Sequence, residues 1–314
     1  MARFVSSRFT CWLLLALLTG LLIAPAAAQN QQPYPMQVAE WDGISRFTIL
    51  VMGLDRRPAE RNTLQVRTDA IMVVSYSPTE RRLGVLSIPR DMHFAALDVG
   101  ELVRVNTLLL RGENRQQGYG PYYSMDTLQG NLGMYIDAYL MYDFTAFIDF
   151  IDFLGGVTID VPAPINDPTY PDMDFGYDPF FISRGLHTLD GATALKYART
   201  RHGDNDYLRG QRQLQVVEAV RQRLSDRSQL QNLIAGLPGL FMNLQGSIYT
   251  NVAPEQLMLL GLQVLELRDD QIFYGALDKE YSFTYPTTEG QVRVPDRALL
   301  AELLVQIFGP TYPG

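Results

Sequence analysis

Three short apolar runs near the start of the chain constrain its fold more than any other feature. They are 47–52 (FTILVM), 70–76 (AIMVVSY) and 83–88 (LGVLSI), and turn-forming residues bound each of them. Runs of this length, rich in β-branched residues, are typical of strands buried in a sheet. We therefore expect three buried strands within the first third of the chain.

Further apolar patterns alternate with these strands along the chain. Two more runs, 136–142 and 157–161, predict strands, and helical periodicity predicts helices at 144–153, 190–199, 211–224, 254–267 and 295–308. Mixed order of this kind favours an α/β layer architecture, in which helices cover a central sheet. The segment 166–181 combines three prolines and a glycine with aromatic residues and Asp. We expect it to form irregular surface structure.

The first 28 residues have the pattern of an export signal. They contain Arg3 and Arg8, no acidic residue, an apolar run at 11–24 and small residues up to Ala28. The run is also close to the ~20 apolar residues that a membrane span needs, so a retained signal anchor is the alternative to a cleaved leader. Both place the protein outside the cytoplasm, at the extracytoplasmic face of the cell membrane or in the cell envelope. We expect a polar spacer at 29–45 and one folded domain at 46–314.

Composition excludes several classes of function. The formal net charge of −8 argues against nucleic acid as a partner, because such binding depends on a basic surface. Cys11, the only cysteine, lies in the predicted leader. Thiol catalysis and cysteine-ligated metal are therefore excluded from the rest of the chain. The sequence also has no P-loop, G-x-S-x-G or G-x-G-x-x-G motif, and its three histidines are scattered.

Four charged segments adjoin the predicted strands and helices. They are 53–57 (GLDRR), 67–72 (RTDAIM), 87–91 (SIPRD) and 197–213 (YARTRHGDNDYLRGQRQ). Single residues among them have ordinary structural explanations; Asp206, for example, suits the N-cap of the helix that carries Arg212. As a group, however, they place charge at the edges of buried strands, where α/β proteins bind ligands.

The residue types in these segments suit a metal-bound diphosphate. Arg209, Arg212 and Gln213 share one helix face, and such a row of forked donors suits phosphate or diphosphate. Asp55 and Asp69 could converge from adjacent strand ends, and Mg²⁺ commonly takes two carboxylates together with water and substrate phosphate. These features favour direct transfer chemistry at phosphorus, in which positioning and charge neutralisation do most of the work.

In these motifs the chain resembles the LytR-CpsA-Psr family of bacterial envelope proteins. The resemblance follows the family's order through 53–57, 67–71, 87–91, Asn106, 155–157, 160–162, 189–191, 194–199 and 201–213, with a weaker continuation at 249–252. It implies an α/β fold with a mixed central β-sheet flanked by helices on both faces. It also implies a catalytic domain whose motif core is 47–224. Residues 225–314 could complete this domain or form a small appendage, and we expect the former because no long linker intervenes.

The family resemblance further implies an activity and a set of site residues. Family members transfer a glycopolymer, such as a teichoic acid, from a polyprenyl-diphosphate carrier to peptidoglycan or another wall acceptor at the membrane surface. Asp55 and Asp69 would hold Mg²⁺. The residues expected around the diphosphate are Arg67, Arg90, Arg199, Arg201, Arg209, Arg212 and Gln213, with Arg56 or Arg57. The residues expected to act in catalysis are Asp55, Asp69, Arg90, Arg201 and Asp206.

Two points stay open at the level of sequence. Asp69 and Asp206 are both candidates for the general base, and Asp91 is a weaker one. The function also has alternatives: a lipid pyrophosphatase, in which water replaces the acceptor sugar, or a non-catalytic envelope module that binds polyprenyl phosphates or glycans.

Overall fold

The computed structural model describes residue 34 and residues 36–56, 60, 63–96, 98, 100–172, 176–200, 206–225, 236, 239–240, 243–288 and 290–312. The predicted leader lies outside these residues. The strands are β1 Phe47–Asp55, β2 Arg67–Ser77, β3 Arg82–Ser87, β4 His93–Ala95, β5 Leu102–Arg104, β6 Ala138–Tyr142, β7 Val157–Val161, β8 Ile165–Asp167, β9 Phe180–Ile182, β10 Gly185–Leu189, β11 Ile248–Thr250, β12 Ile272–Ala276, β13 Ser282–Thr287 and β14 Gly290–Pro295. The α-helices are α1 Leu108–Arg115, α2 Gly120–Leu132, α3 Phe144–Phe153, α4 Gly191–Arg199, α5 Asp206–Leu224, α6 Pro254–Leu265 and α7 Arg297–Phe308.

The three early strands form the middle of a six-stranded sheet with the order β11-β6-β1-β2-β3-β12. β1 pairs antiparallel with β2 and parallel with β6, and β3 pairs antiparallel with β2 and parallel with β12. The sheet is therefore mixed, and the predicted α/β fold is confirmed. β11 and β12, which come from beyond residue 225, take its two outer positions.

Helices cover the sheet on both faces because alternate strand residues are apolar on each side. Leu50, Met52 and Leu54 of β1 belong to the core that contains buried residues of α1, α2 and α7. Phe47 and Ile49 belong to the opposite core, which contacts α5 and α6. One strand thus contributes to two separate cores, as expected of a strand buried on both faces.

A third core lies beside the sheet, around the antiparallel pair β7–β10. It joins α3, α4 and α5 to these strands and to β9, through Ile151, Val157, Leu189, Tyr197 and Val216. The antiparallel pair β8–β9 extends from it. This arrangement corrects one expectation, since 166–181 begins and ends in paired strands rather than being irregular throughout.

Two glycines let α7 approach the sheet closely. A Cβ atom on Gly84 of β3 would lie 2.8 Å from the carbonyl oxygen of Ile307 and would also overlap the ring of Phe308. A Cβ atom on Gly275 of β12 would lie 2.9 Å from Cγ1 of Ile307. Helix α7 therefore packs directly on the backbone of these two strands. Among the residues that the structure describes, no helix has the length and apolar character needed to cross a membrane.

Candidate functional site

An irregularity in the β1–β2 ladder places two predicted carboxylates at one end of the sheet. Gly53 pairs with Ala70, but the next residue, Leu54, pairs with Thr68, so Asp69 is the extra residue of a β-bulge. Bulges bend a strand and redirect side chains. Asp55 ends β1 opposite Arg67. Asp69 thus lies two residues beyond Arg67, the partner of Asp55, at the same end of the β1–β2 ladder.

Arg90 pairs with the carboxylate of Asp69. It lies in the turn after β3, and its Nη1 donates a hydrogen bond to Oδ1 of Asp69. The side chains are 22% and 12% exposed, so the pair is accessible from the edge of the sheet. The carbonyl oxygen of Arg90 accepts a hydrogen bond from the N–H of Asn106 at 3.3 Å. This bond ties the turn to the 3₁₀-helix Val105–Thr107.

Arg199 pairs with the other carboxylate. It ends α4, and its Nη2 lies 3.6 Å from Oδ1 of Asp55. Its Nη1 donates to the hydroxyl oxygen of Tyr170 at 3.1 Å, and its guanidinium lies 4.0 Å from the ring centre of Phe144. Burial raises the pKa of Tyr170, while Arg199 opposes that rise. The phenol is therefore neutral and accepts the arginine's hydrogen bond.

The first turns of α5 bring two more arginines to this end of the molecule. Arg209 is 3% exposed and Arg212 is 7% exposed. Arg212 donates from Nη2 to the carbonyl oxygen of Thr200. A Cβ atom on Gly210 would lie 3.3 Å from Oγ of Ser87, the last residue of β3. The start of α5 therefore packs against the same strand end from which Arg90 follows.

Arg56, the residue after β1, is buried and makes several hydrogen bonds. Its Nη2 donates to Oδ2 of Asp143 at 2.5 Å and to the carbonyl oxygen of Gly246 at 2.7 Å, and its Nη1 donates to Tyr249 Oη at 2.8 Å. Burial alone would lower the pKa of Arg56, but these hydrogen bonds raise it. The contacts join the end of β1 to the start of α3 and to the turn before β11. These contacts hold Arg56 between three elements, while Arg57 lies outside the described residues.

The remaining predicted residues divide into three groups. Arg67 is exposed on β2 opposite Asp55, Gln213 is half-buried on α5, and Asp91 is half-buried beside Arg90. Arg57 and Arg201 lie outside the described residues. Asp206 is the first residue of α5, but its side chain lies outside the described part of the chain.

Asp55 and Asp69 suit Mg²⁺ in the type of ligand they offer, since both supply hard carboxylate oxygens. Within the described residues there is no group of three or more His, Cys, Asp or Glu side chains that could hold a metal ion. Magnesium usually binds one or two carboxylates and completes its octahedron with water and substrate phosphate. Two carboxylates are therefore enough ligands from the protein for such an ion.

Sequence reasoning missed the residues that support the arginines. Asp167 and Tyr170 are 4% and 3% exposed, although both lie in the segment expected to be irregular surface structure. Asp167 Oδ2 accepts a hydrogen bond from Thr200 Oγ1 at 2.6 Å, across 33 positions of sequence. No spacing rule links residues so far apart. The N-cap role of Asp143, which accepts from the N–H of Ala146, could have been found from its place before an apolar helix.

The fold and site define an α/β protein in which carboxylates and arginines meet at one end of a mixed sheet. The model of the LytR_cpsA_psr family matches residues 24–286. The chain belongs to this family.

Named relatives match the chain at moderate identity. The polyisoprenyl-teichoic acid–peptidoglycan teichoic acid transferase TagT of Bacillus subtilis (strain 168) is 31% identical over 191 residues, which are 59% of this chain and 55% of TagT. The regulatory protein MsrR of Staphylococcus aureus (strain COL) is 29% identical over 218 residues, which are 69% of this chain and 60% of MsrR. The chain thus spans about half the length of the curated relatives it matches.

Solved structures share the fold. TagT bound to LIIa-WTA matches with a TM-score of 0.62 and 22% identity, over 88% of this chain and 94% of that chain. TagV of Bacillus subtilis matches with a TM-score of 0.64 and 24% identity, over 82% of this chain and 94% of that chain. At these identities the structural likeness supports the architecture alone.

Proposed function

We propose that the protein is an exported, Mg²⁺-dependent phosphotransferase that attaches a glycopolymer, carried on a polyprenyl diphosphate, to a cell-wall acceptor such as peptidoglycan. Family membership supports a cell-wall glycopolymer transferase, as do the relatives TagT, TagV and TagU, which are named teichoic acid transferases. The proposed lipid donor and the N-terminal apolar segment both favour action at the extracytoplasmic face of the cell membrane.

The observation that carries the proposal is the pairing of two carboxylates with two arginines at one end of the sheet. Asp69 pairs with Arg90, and Asp55 with Arg199. Arginine forks bind phosphate oxygens bidentately, and carboxylates beside them can hold a divalent cation. A site with both groups can bind a metal diphosphate while balancing its charge.

The proposed reaction is a displacement at phosphorus. The hydroxyl oxygen of the acceptor sugar forms a bond to the phosphorus that carries the glycopolymer, and the bond from that phosphorus to the bridging oxygen breaks. Polyprenyl phosphate leaves, and the polymer becomes joined to the acceptor through a phosphodiester. Charge spreads over the phosphoryl oxygens in the transition state, and Arg90 and Arg199 would stabilise it.

The charges of the other site residues suggest their roles in the proposed reaction. Mg²⁺ held by Asp55 and Asp69 would neutralise diphosphate oxygens and favour departure of the leaving phosphate. The acceptor hydroxyl must lose a proton, and our candidates for the base are Asp69 and Asp206, with Asp91 as a third. Arg209 and Arg212 would add positive potential from α5.

The test is transfer from a lipid-linked donor to peptidoglycan fragments by the purified protein. We expect Asp69→Asn and Arg90→Ala to lower the rate by at least about a hundredfold, as loss of a transition-state contact does elsewhere. Arg268→Ala is the matched control, because Arg268 forms an exposed pair with Asp270. Full transfer by Arg90→Ala would refute the proposal. Hydrolysis of the donor with acceptor present would favour a pyrophosphatase, and donor binding without turnover would favour a binding module.

A further inference from the structure

Four residues at the end of β8, Asp167-Pro-Thr-Tyr170, contact the arginine side of the site from the connection between β8 and β9. We call them the strap. Both of its end residues are buried, at 4% exposure for Asp167 and 3% for Tyr170. A buried carboxylate and a buried phenol in a connecting segment require hydrogen-bond partners. Each finds one on the segment that runs from α4 towards α5.

The Asp167 end of the strap holds Thr200. Oγ1 of Thr200 donates to Oδ2 of Asp167 at 2.6 Å, and Thr200 is 1% exposed. The N–H of Thr200 donates to the carbonyl oxygen of Lys196 at 2.9 Å, which closes α4. The carbonyl oxygen of Thr200 accepts from Nη2 of Arg212. Thr200 is therefore fixed between the strap and α5, and it in turn fixes the guanidinium of Arg212.

The Tyr170 end of the strap holds Arg199. Its hydroxyl oxygen accepts from Nη1 of Arg199 at 3.1 Å, while Nη2 of the same guanidinium faces Asp55 at 3.6 Å. The ring of Phe144 covers one face of the guanidinium at 4.0 Å. Tyr170 itself packs against Phe180 of β9, with ring centres 6.4 Å apart. The orientation of the arginine fork is thus set by a residue that belongs to neither strand nor helix.

We propose that the strap positions the anion-binding arginines: Asp167 orients Arg212 through Thr200, and Tyr170 orients Arg199. Arginine has many rotamers, and a fork already held in place loses less freedom when it binds a diphosphate. Asp167, Tyr170 and Thr200 are positioning residues, since each acts through an arginine. The inference rests on the proposed function, because it assigns these arginines to a diphosphate.

The test separates positioning from stability with matched variants. Thr200→Val removes the hydroxyl at nearly constant shape, and Tyr170→Phe removes the acceptor oxygen but keeps the ring. Thr200→Ser, the conservative variant, keeps the hydroxyl. Thr158→Val is a control on β7, where the hydroxyl lies 3.1 Å from that of Thr188 at the surface. Asp137→Asn is a second control, because Asp137 accepts the N–H of Thr48 at 2.7 Å near the end of β1 opposite to Asp55.

The readouts are the Kd of farnesyl diphosphate with Mg²⁺, the Tm, and donor kinetics of the full chain. We expect Thr200→Val and Tyr170→Phe each to weaken probe binding about tenfold, the size of one lost hydrogen bond to a charged group, and to raise KM for the donor more than they lower kcat. Thr200→Ser and Thr158→Val should bind as the wild type does. Asp137→Asn should lower the Tm alone.

Different results would overturn the positioning role of the strap and the diphosphate site itself. If Thr200→Val and Tyr170→Phe lower the Tm as Asp137→Asn does but keep the wild-type Kd and KM, the strap is merely structural and the inference is overturned. If the wild type does not bind the probe, the diphosphate site itself is wrong, and the strap loses its assigned role with it. Weaker probe binding by Thr200→Val and Tyr170→Phe, with wild-type binding by Thr200→Ser, supports the inference.

Discussion

Arg199 and Asp55 lie 3.6 Å apart and join the last residue of α4 to the last residue of β1. The carboxylate is the more open partner, with 39% of its side chain exposed against 16% for the arginine. A ligand that reaches Asp55 from solvent therefore meets an oriented guanidinium directly behind it. The pair, together with Tyr170, helps to hold the arginine in place.

This geometry predicts that charge alone does not replace Arg199. Arg199→Lys keeps the positive charge but loses the planar fork that contacts Tyr170 and Asp55, so we expect donor transfer to fall by about tenfold or more. Steady-state kinetics with lipid-linked donor measure the change. Arg268→Lys, at an exposed position, should keep its rate. Equal rates for both variants would show that the fork is not used.

Substitution of Arg56 should lower the stability of the fold, whereas substitution of Arg199 should lower the rate of transfer. Arg56 is buried and joined to Asp143, so Arg56→Met leaves an uncompensated buried carboxylate and should lower the free energy of unfolding by about 3–5 kcal/mol. Denaturant unfolding measures it. In the double variant with Asp143→Asn the loss should be smaller than the sum of the two single losses. Additive losses would contradict direct coupling of the pair.

Metal binding should depend on the diphosphate. If Asp55 and Asp69 hold Mg²⁺ only together with phosphate oxygens, Mg²⁺ and farnesyl diphosphate added together should raise the Tm more than the separate additions do. Asp55→Asn and Asp69→Asn should abolish this joint effect. Asp270→Asn, an exposed carboxylate change, should keep it. A joint effect that survives in both site variants would place the metal elsewhere.

The close approach of α7 predicts a contrast between two glycines. Gly84→Ala places a methyl group 2.8 Å from a backbone oxygen and should destabilise the protein by about 1–3 kcal/mol or more. A Cβ atom on Gly261, in α6, meets nothing within 4 Å. Gly261→Ala should therefore stabilise by about 0.5–1 kcal/mol. Thermal unfolding of both variants provides the comparison, and similar shifts would contradict the packing.

His93 predicts a pH dependence of stability. Burial, with Arg104 across the strand pair, lowers its pKa below the ordinary value of 6.5. The folded protein therefore binds this proton more weakly than the unfolded chain, and stability falls as pH drops below about 6.5. His93→Gln removes this contribution to the pH dependence of stability. Between about pH 8 and pH 5 the wild type should lose more stability than the variant. Parallel pH profiles would show that His93 does not contribute.

Much of the sheet could be predicted because burial on both faces produces continuous apolar runs. The run 70–76 lies within β2 of this sheet, and the run 83–88 overlaps β3, whereas β1 continues past its apolar run to Asp55. Outside the sheet, β7 (Val157–Val161) and helix α3 (Phe144–Phe153) have the predicted bounds. The helices α1 and α2 escaped prediction because glycines interrupt their pattern. A Cβ atom on Gly112 would lie 2.6 Å from Cα of Gly120, so these glycines serve close helix packing and not a loop.

The site was predicted as a set of residue types but not as a set of contacts. Motif order placed Asp55, Asp69, Arg90 and Arg199 together. The structure pairs Asp69 with Arg90 and Asp55 with Arg199. Motif order could not predict that Arg56 pairs with the buried Asp143, because adjacent arginines have the same chemistry. Nor could local spacing find Asp167, whose partner is 33 positions away.

The outer positions of β11 and β12 have a consequence for how the chain can be divided. A chain that stopped after α5 would leave β6 and β3 with unpaired backbone groups along both margins of the sheet. Such margins are templates for addition of strands from other molecules. The last ninety or so residues thus cover both margins of the sheet, and a chain shortened to end at residue 224 should associate with other copies of itself more readily than the full chain does.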